Sequence, residues 1–437
     1  MISRTLILAI YVFGMLPETS LRAAEKPAAM PISALVATAL AQNPEVQFYT
    51  GEIIAAKAGR ATAGRLANPE LSLEVGRKSV RTGDASASGV AWAASLVQPF
   101  EWPGRLGLRK AIANSDIALA ELGLSRFKNA LAARVRILGY VLATQQEKAA
   151  AAAEVADRLA ALREVTTQRD PAGITPLLEM KVIEATSIVV QKQAGDAAVA
   201  MQKALLELNQ LMGRRAVQPL IVARTVFAFP AYPEMEVLLM RAAENNYDLR
   251  VRIRELEQQG LKVALAKNER YPSFTVGPQV SGDRAGDGET TAGIALSVPL
   301  PLWNNGKASV TAAEARQLQA AASLMTTQRE VERQVTEAAL IYQTQRQRLA
   351  AWNADALESF RSAAALADRH YRLGAVEVAT YIELQQKYVE ATAAINESKA
   401  EALEAALKLE QLIGMTESLV KPAEAKPADA PKPKTKS

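Results

Sequence analysis

The sequence predicts a mainly α chain with a small β portion, in which long antiparallel coiled-coil helices are joined to two β-hairpins. Three observations predict it. The sequence is an imperfect duplication, its motifs returning in order roughly 200 positions further on. Each copy holds one pair of segments in which apolar residues alternate with small or polar ones. Each copy also holds a proline-free stretch dominated by Ala, Leu, Glu, Gln, Lys and Arg, the residues that favour helix most.

The duplication rests on five anchors. Asn43-Pro44-Glu45-Val46 is echoed by Asn246-Tyr247-Asp248-Leu249, and Asn68-Pro69-Glu70-Leu71 by Tyr271-Pro272-Ser273-Phe274. Gly104-Arg105 returns as Gly306-Lys307, Gly173 as Gly374, and Leu211-Met212-Gly213 as Leu412-Ile413-Gly414. Their common order defines two units, residues 32–213 and 234–414.

Ahead of the first unit, Arg4, the apolar run Thr5 to Leu16 and the small residues Ala23 and Ala24 read as an export signal over residues 1–24. That run is shorter than the roughly 20 residues a spanning helix needs, and Pro17 and Glu18 end it. Each unit then opens with an amphipathic helix closed by a proline. A strand follows, with Leu71, Leu73 and Val75 on one face, then a loop from Thr82 to Gly89 and a returning strand with Val90, Trp92, Ala94 and Leu96. The second unit repeats the pattern with Phe274, Val276 and Val280, a loop from Ser281 to Glu289, and Ile294, Leu296 and Val298.

The proline-free stretches, from Gly104 to about Asp170 and from Gly306 to about Arg372, predict rods of roughly 100 Å. Leu131, Val135, Leu138 and Leu142 recur at coiled-coil spacing, as do Val155, Leu159 and Leu162, and Val331, Val335, Ala338 and Tyr342. Small residues such as the run Ala149 to Ala153 let neighbouring helices approach closely. Asp170-Pro171-Ala172-Gly173 and Leu373-Gly374-Ala375 turn each rod into a return helix. Residues 420–437, rich in Lys, Pro and Ala, have too little apolar content to fold and read as disordered.

Composition narrows the function. A net charge of +5 over 437 residues with 5% aromatics offers no concentrated basic and aromatic surface, which argues against nucleic acid as a partner. The absence of cysteine excludes disulfides, thiolate metal sites, a cysteine nucleophile and a lipidated N-terminal cysteine. There is no nucleophile elbow, phosphate loop or metal-ligand cluster, so neither an enzyme nor a cofactor is expected. His370 is the single histidine; one isolated histidine in an exposed turn is more often inert than a pH sensor, and a zinc site would want three or four ligands.

Four strands are too few to close a barrel, and strands with one apolar and one polar face suit a wall between lipid and water, so oligomerisation is required. A non-channel periplasmic coiled-coil scaffold would also suit the helices, but has no need for two hairpins at equivalent places. A porin would be nearly all strand.

At this point the order of elements resembles the TolC-like outer-membrane efflux family. The carrying residues are Asn43-Pro44-Glu45, Asn68-Pro69-Glu70-Leu71, Gln98-Pro99-Phe100-Glu101 with Gly104-Arg105, Val298-Pro299-Leu300 with Gly306-Lys307, and Tyr371-Arg372-Leu373-Gly374 followed by Glu383-Leu384. The resemblance implies a homotrimer in the Gram-negative outer membrane, its hairpins forming a twelve-stranded barrel and its helices a periplasmic tunnel closed at the far tip. Implied partners are outer-membrane lipid, a periplasmic adaptor (membrane fusion protein) and an inner-membrane efflux pump, such as one of the RND type. Gln98 to Arg105 also looks like a run found in the outer-membrane partners of heavy-metal cation pumps, which would make the substrate a metal cation; Pro99 and Pro103 equally suit a strand-to-helix junction.

The resemblance places a periplasmic gate at Glu179, Tyr371, Thr380 and Glu383. Glu383 matches one acid of a ring facing the pore, and Thr380 stands where a second acid is usual. Tyr371 matches a tyrosine that bonds a first-copy acid, whose place Glu179 occupies. A basic residue of the usual lock is Val376 here, with Arg369 and Arg372 close enough to substitute. The adaptor-docking tip falls on Gly173, Ile174, Arg369, Arg372, Leu373, Gly374 and Ala375. Trp92, Trp102 and Trp303 suit a membrane interface, with core packing the alternative for Trp303.

Overall fold

The computed structural model describes residues 29–82, 85–169, 174–223, 227–352 and 356–414. The export signal expected over 1–24, the turn Asp170 to Gly173 and the tail from 420 lie outside the described residues. In chain order the elements are α1 (Ile32–Gln42), α2 (Pro44–Ala63), β1 (Glu70–Thr82), β2 (Ala85–Phe100), α3 (Arg105–Arg169), α4 (Ile174–Leu211), α5 (Met235–Asn245), α6 (Tyr247–Asn268), β3 (Phe274–Asp283), β4 (Glu289–Ser297), α7 (Lys307–Ala351), α8 (Ala356–Arg372) and α9 (Val378–Leu412). Two short helices, two strands, a long helix and a return helix thus occur twice, the second long helix being split.

Local chemistry sets the corners. Asn43 caps α2 by accepting the N–H of Glu45, with Pro44 at the first helical position, where its missing donor costs nothing. Asn246 caps α6 in the same way. Gly104 (φ +87°) and Gly306 (φ +72°) take the left-handed conformation at the entry to α3 and α7, which a side chain would disfavour.

The seams expected from the sequence form the core. Leu131, Val135, Leu138 and Leu142 on α3 are buried with Leu35 and Ala39 of α1, Leu208 and Met212 of α4, and Leu403 and Leu407 of α9. Toward the far end, Val155, Leu159 and Leu162 pack with Ile183, Ala364, Tyr381, Ile382 and Tyr388, and Ala151 and Ala152 are buried among them. Val331, Val335 and Ala338 of α7 pack with Leu238 of α5 and Leu409 and Leu412 of α9. Among the described residues no helix carries an apolar stretch long enough to cross a membrane.

Two details depart from the sequence expectation. The second rod is not continuous: α7 ends at Ala351, and Trp352 takes an extended conformation (φ −93°, ψ 140°) before α8 begins at Ala356. The sequence there, Trp352-Asn353-Ala354-Asp355, carries two short polar residues that favour caps over helix interiors. The first hairpin loop is also far shorter than Thr82 to Gly89, because β2 starts at Ala85 and its small residues keep register with β1 as far as Thr82↔Ala85. Gly89 is demanded by close approach, since a Cβ there would collide with the Arg284 carbonyl group.

The four strands form one antiparallel sheet in the order β1-β2-β3-β4, so among the described residues the outer edges of β1 and β4 are unpaired. The β2–β3 ladder passes from Ser95↔Gln279 to Gln98↔Val276, with no pairing at Leu96 and Val97. Pro278 has no N–H to offer there, and a Cβ on Gly277 would strike the Leu96 carbonyl oxygen.

Candidate functional site

The sheet has two faces of opposite character. Alternation and register put Leu71, Leu73, Val75, Val90, Trp92, Leu96, Phe100, Val280, Ile294 and Leu296 on one face, and all of them are exposed. Val75 is 81% and Ile294 79% accessible, values that water alone would not favour for such side chains. The opposite face carries Glu70, Ser72, Glu74, Lys78, Ala91, Ala93, Ser95, Gln279, Ser281, Asp283, Glu289 and Thr291. Across this polar face Lys78 Nζ donates to Asp283 Oδ2 at 2.5 Å, linking β1 to β3 over the top of β2.

At the helical end of the apolar face the strands finish in aromatic pairs. Phe100 stacks on Phe274 with ring centroids 5.6 Å apart, and Trp102 stacks on Tyr271 at 4.9 Å. Trp303 is 94% accessible, so core packing does not describe it.

The Gln98 to Arg105 run is occupied by the junction itself. Gln98 Nε2 donates to the Ala67 carbonyl at 2.8 Å, Arg109 Nη2 donates to Glu101 at 2.7 Å, and Arg105 donates to Asn268 and, at 2.7 Å, to the Tyr271 carbonyl. These contacts tie the entry of α3 to α6 and the start of the sheet.

At the opposite end of the molecule, α8 and α9 turn at Gly374 (φ +71°). The Gly374 N–H donates to the Tyr371 carbonyl and the Ala375 N–H to the His370 carbonyl, the paired bonds of a Schellman cap. Arg369, His370, Arg372, Leu373, Gly374 and Ala375 are all exposed there, Leu373 at 74%. Arg372 Nε is engaged by Asp368 at 3.0 Å. Gly173 lies outside the described residues, and Ile174 begins α4.

Tyr371 and Glu179 line one cleft of about 620 Å³, together with Val182 and residues 374–379. Among the described residues no hydrogen bond joins the two; the Tyr371 ring instead lies 5.3 Å from that of Tyr381. Thr380 and Glu383 share the exposed face of α9, opposite the buried Tyr381, Ile382 and Gln385. Lys387, one turn beyond Glu383, pairs with Glu390 at 2.8 Å, and its ammonium is stabilised chiefly by that bond, with Glu383 a smaller contributor.

A polar network behind this tip was not anticipated. Gln385, fully buried, donates to the Ala364 carbonyl at 2.7 Å and accepts from Arg158 Nη1 at 3.1 Å; Arg158 also pairs with Glu154 at 2.6 Å. Tyr381 donates to Asp368 Oδ1 at 3.3 Å, and burial, reinforced by the Asp368 charge, pushes its phenol well above the usual range. The signal was legible in principle: Gln385 falls four residues after Tyr381 and three before Tyr388, on the apolar seam.

Residues 238–415 match the model of the Outer membrane efflux protein family. No curated protein sequence matches the chain. Among solved structures, a membrane protein from Pseudomonas aeruginosa superposes with a TM-score of 0.73 at 18% identity, covering 88% of this chain and 90% of that one. The Campylobacter jejuni CmeC outer membrane channel superposes with a TM-score of 0.71 at 14% identity, covering 94% of each chain. CusC, whose crystal structures concern folding and transmembrane channel formation, gives 0.69 at 14% identity, covering 90% of this chain and 96% of its own. The chain has the fold of these channels, mostly helical with one small antiparallel sheet, and its second half carries the sequence pattern of the outer membrane efflux family.

Proposed function

We propose that this chain is one protomer of an outer-membrane efflux channel, which passively conducts substrate delivered by an inner-membrane pump through a periplasmic adaptor. The carrying observation is the two-faced sheet: ten large apolar side chains stand exposed on one face, and the other, Val80 and Val97 apart, is polar or small. From Val90 to Phe100 the apolar face of β2 runs about 34 Å along the strand. A tilt near 45° reduces that to about 24 Å of height, close to the apolar band of roughly 25 Å on outer-membrane barrels.

The unpaired edges of β1 and β4 support closure by further copies, since a bilayer offers backbone groups no partners. Three chains would bring twelve strands, with the polar face lining the lumen and the α3–α4 and α7–α9 helices continuing as the periplasmic tunnel. In this reading Glu179, Tyr371, Thr380 and Glu383 form the gate, and the Schellman turn with Arg369, Arg372 and Leu373 meets the adaptor, with Gly173 and Ile174 the first-copy residues assigned to the same role. A heavy-metal cation is one substrate class the Gln98 to Arg105 run suggests, although Glu101 is engaged by Arg109.

The test is the mass of the detergent-extracted protein and its conductance in a planar bilayer, with Tyr371→Phe and Glu179→Gln beside the parent. A trimer of small conductance that rises in either variant supports both channel and gate. A trimer whose conductance is the same in all three keeps the channel and removes the gate. A monomer released without detergent and silent in the bilayer would leave a periplasmic coiled-coil scaffold as the better account.

A further inference from the structure

At the end of the apolar band nearest the hairpin tips, the outward face changes from hydrocarbon to arginine. Alternation along β1 places Arg77 and Arg81 on the face of Leu71, Leu73 and Val75. Arg77 is paired in register with Val90, and the Val90 carbonyl accepts the N–H of Arg284 at 3.0 Å. Arg77 and Arg284 therefore stand at one level on either side of Val90, their backbones roughly 10 Å apart across two strand spacings.

All three arginines are exposed, and no ion pair among the described residues engages any of them. Arg77 Nη2 donates to Ser88 Oγ at 2.8 Å, which steadies the guanidinium while leaving its other N–H groups unspent. Asp283 and Glu289, the carboxylates nearest this end on the strands, lie on the opposite face, and Asp283 is bonded to Lys78 there. Asp287, exposed in the β3–β4 loop, is the remaining described acid near the tips. The sheet thus separates charge, with arginines outward from the level of Val90 to the hairpin tips and carboxylates inward. The other end of the same band closes in the aromatic pairs Phe100–Phe274 and Trp102–Tyr271.

We propose that Arg77, Arg81 and Arg284 form a belt that binds the phosphate groups of an anionic, phosphorylated glycolipid in the outer leaflet, its acyl chains lying against Val75, Val90 and Trp92. The guanidinium fork suits phosphate in bidentate fashion, and the continuous apolar surface beside it selects a lipid over a free anion. This rests on the reading of the sheet as a membrane wall.

The experiment measures binding of fluorescent diphosphoryl lipid A to the detergent-extracted full chain, with insertion into phosphatidylcholine vesicles scored separately by protease protection. The parent is expected to bind lipid A, and inorganic pyrophosphate to displace none of it. Arg77→Gln, Arg81→Gln and Arg284→Gln combined should weaken binding about a hundredfold while vesicle insertion is retained. The three Arg→Lys changes should recover part of the affinity, because charge survives and the fork does not. Equal binding by the triple Gln variant and the parent, or equal binding of fully dephosphorylated lipid A, overturns the belt and leaves the membrane wall intact. Full displacement by pyrophosphate overturns the lipid as its ligand. A parent that fails to enter vesicles overturns the wall and the belt together.

Discussion

Asn43 and Asn246 play the same bridging role in the two halves of the chain. The Asn43 side-chain oxygen accepts the Glu45 N–H and that of Asn246 accepts the Asp248 and Leu249 N–H groups, and each amide donates across to the end of a return helix: Asn43 to the Leu211 carbonyl at 2.9 Å, Asn246 to the Leu412 carbonyl at 2.8 Å. One residue thus fixes a helix start and locks a helix end some 166 to 168 positions away. Gly213 and Gly414 sit against these corners with positive φ, where a Cβ would meet the backbone oxygen of Gln42 or Asn245. Asn246 is 1% exposed, so Asn246→Ala should cost both the cap and the partner of a buried carbonyl, about 2 to 4 kcal/mol in denaturant unfolding. Asn246→Ser keeps a capping oxygen and loses the amide donor to the Leu412 carbonyl, and should fall between Ala and the parent.

The apolar face of the sheet gives a prediction with a built-in control. Ile294→Lys puts a charge in the middle of that face, whereas Thr291→Lys puts one on the polar face of the same strand. In a bilayer the first should cost roughly 2 to 4 kcal/mol and the second close to nothing. Folding yield into phosphatidylcholine vesicles, read by protease protection, measures the difference. Equal yields would remove lipid as the medium against the apolar face.

Much of this architecture can be read from residue order. The buried seam residues Val135, Leu159 and Val335 announce themselves by spacing, and Leu71, Leu73 and Val75 by alternation, because each pattern is local. What escaped is non-local or depends on a single backbone choice. The Lys78–Asp283 pair joins residues of different hairpins, and nothing in either hairpin reveals that β2 and β3 are neighbours. The end of α7 at Trp352 hides in a sequence without proline or glycine. At the tip, Tyr371 and Glu179 could be named from resemblance and do share a cleft, but the buried link from Arg158 to Gln385 needs knowledge of which helices touch.

Titration should show one group on each limb of the stability curve. Arg333 grips Glu330 with two hydrogen bonds of 2.7 and 3.0 Å, Gln334 adds a third, and the carboxyl is held down to about 2. A folded-state value below the unfolded 4.5 means a contribution present above that pH and lost as pH falls toward 2. Glu330→Gln should therefore flatten the fall in Tm across this window. On the alkaline side, the buried Tyr342 hydroxyl donates to the Pro230 carbonyl at 2.6 Å, and burial raises its phenol to about 12. Its contribution is complete below pH 10 and is lost as pH rises through about 12, so Tyr342→Phe should soften the alkaline loss while lowering Tm at neutral pH by the value of one hydrogen bond, about 1 kcal/mol.

Helix α8 is bound to the rest of the tip through few polar contacts, and Gln385 is central to them. It reaches the Ala364 carbonyl of α8 with its amide N–H and receives Arg158 of α3 on its oxygen, so one buried side chain joins three helices. Gln385→Leu preserves the volume but removes the inter-helix donor to the Ala364 carbonyl, which keeps its own helical bond, and takes one of the two partners of Arg158 away. The cost should be about 2 kcal/mol, confined to this end of the molecule. Amide exchange over residues 356–372 should accelerate while the Asn246 corner is unchanged, since the two regions share no core cluster. If the tip helices set the closed state of the channel, the same variant should raise conductance with Tyr371 and Glu179 intact. Faster exchange without a change in conductance would place the closed state elsewhere along the tunnel, and unchanged exchange would show that Gln385 holds nothing that the surrounding apolar seam does not already hold.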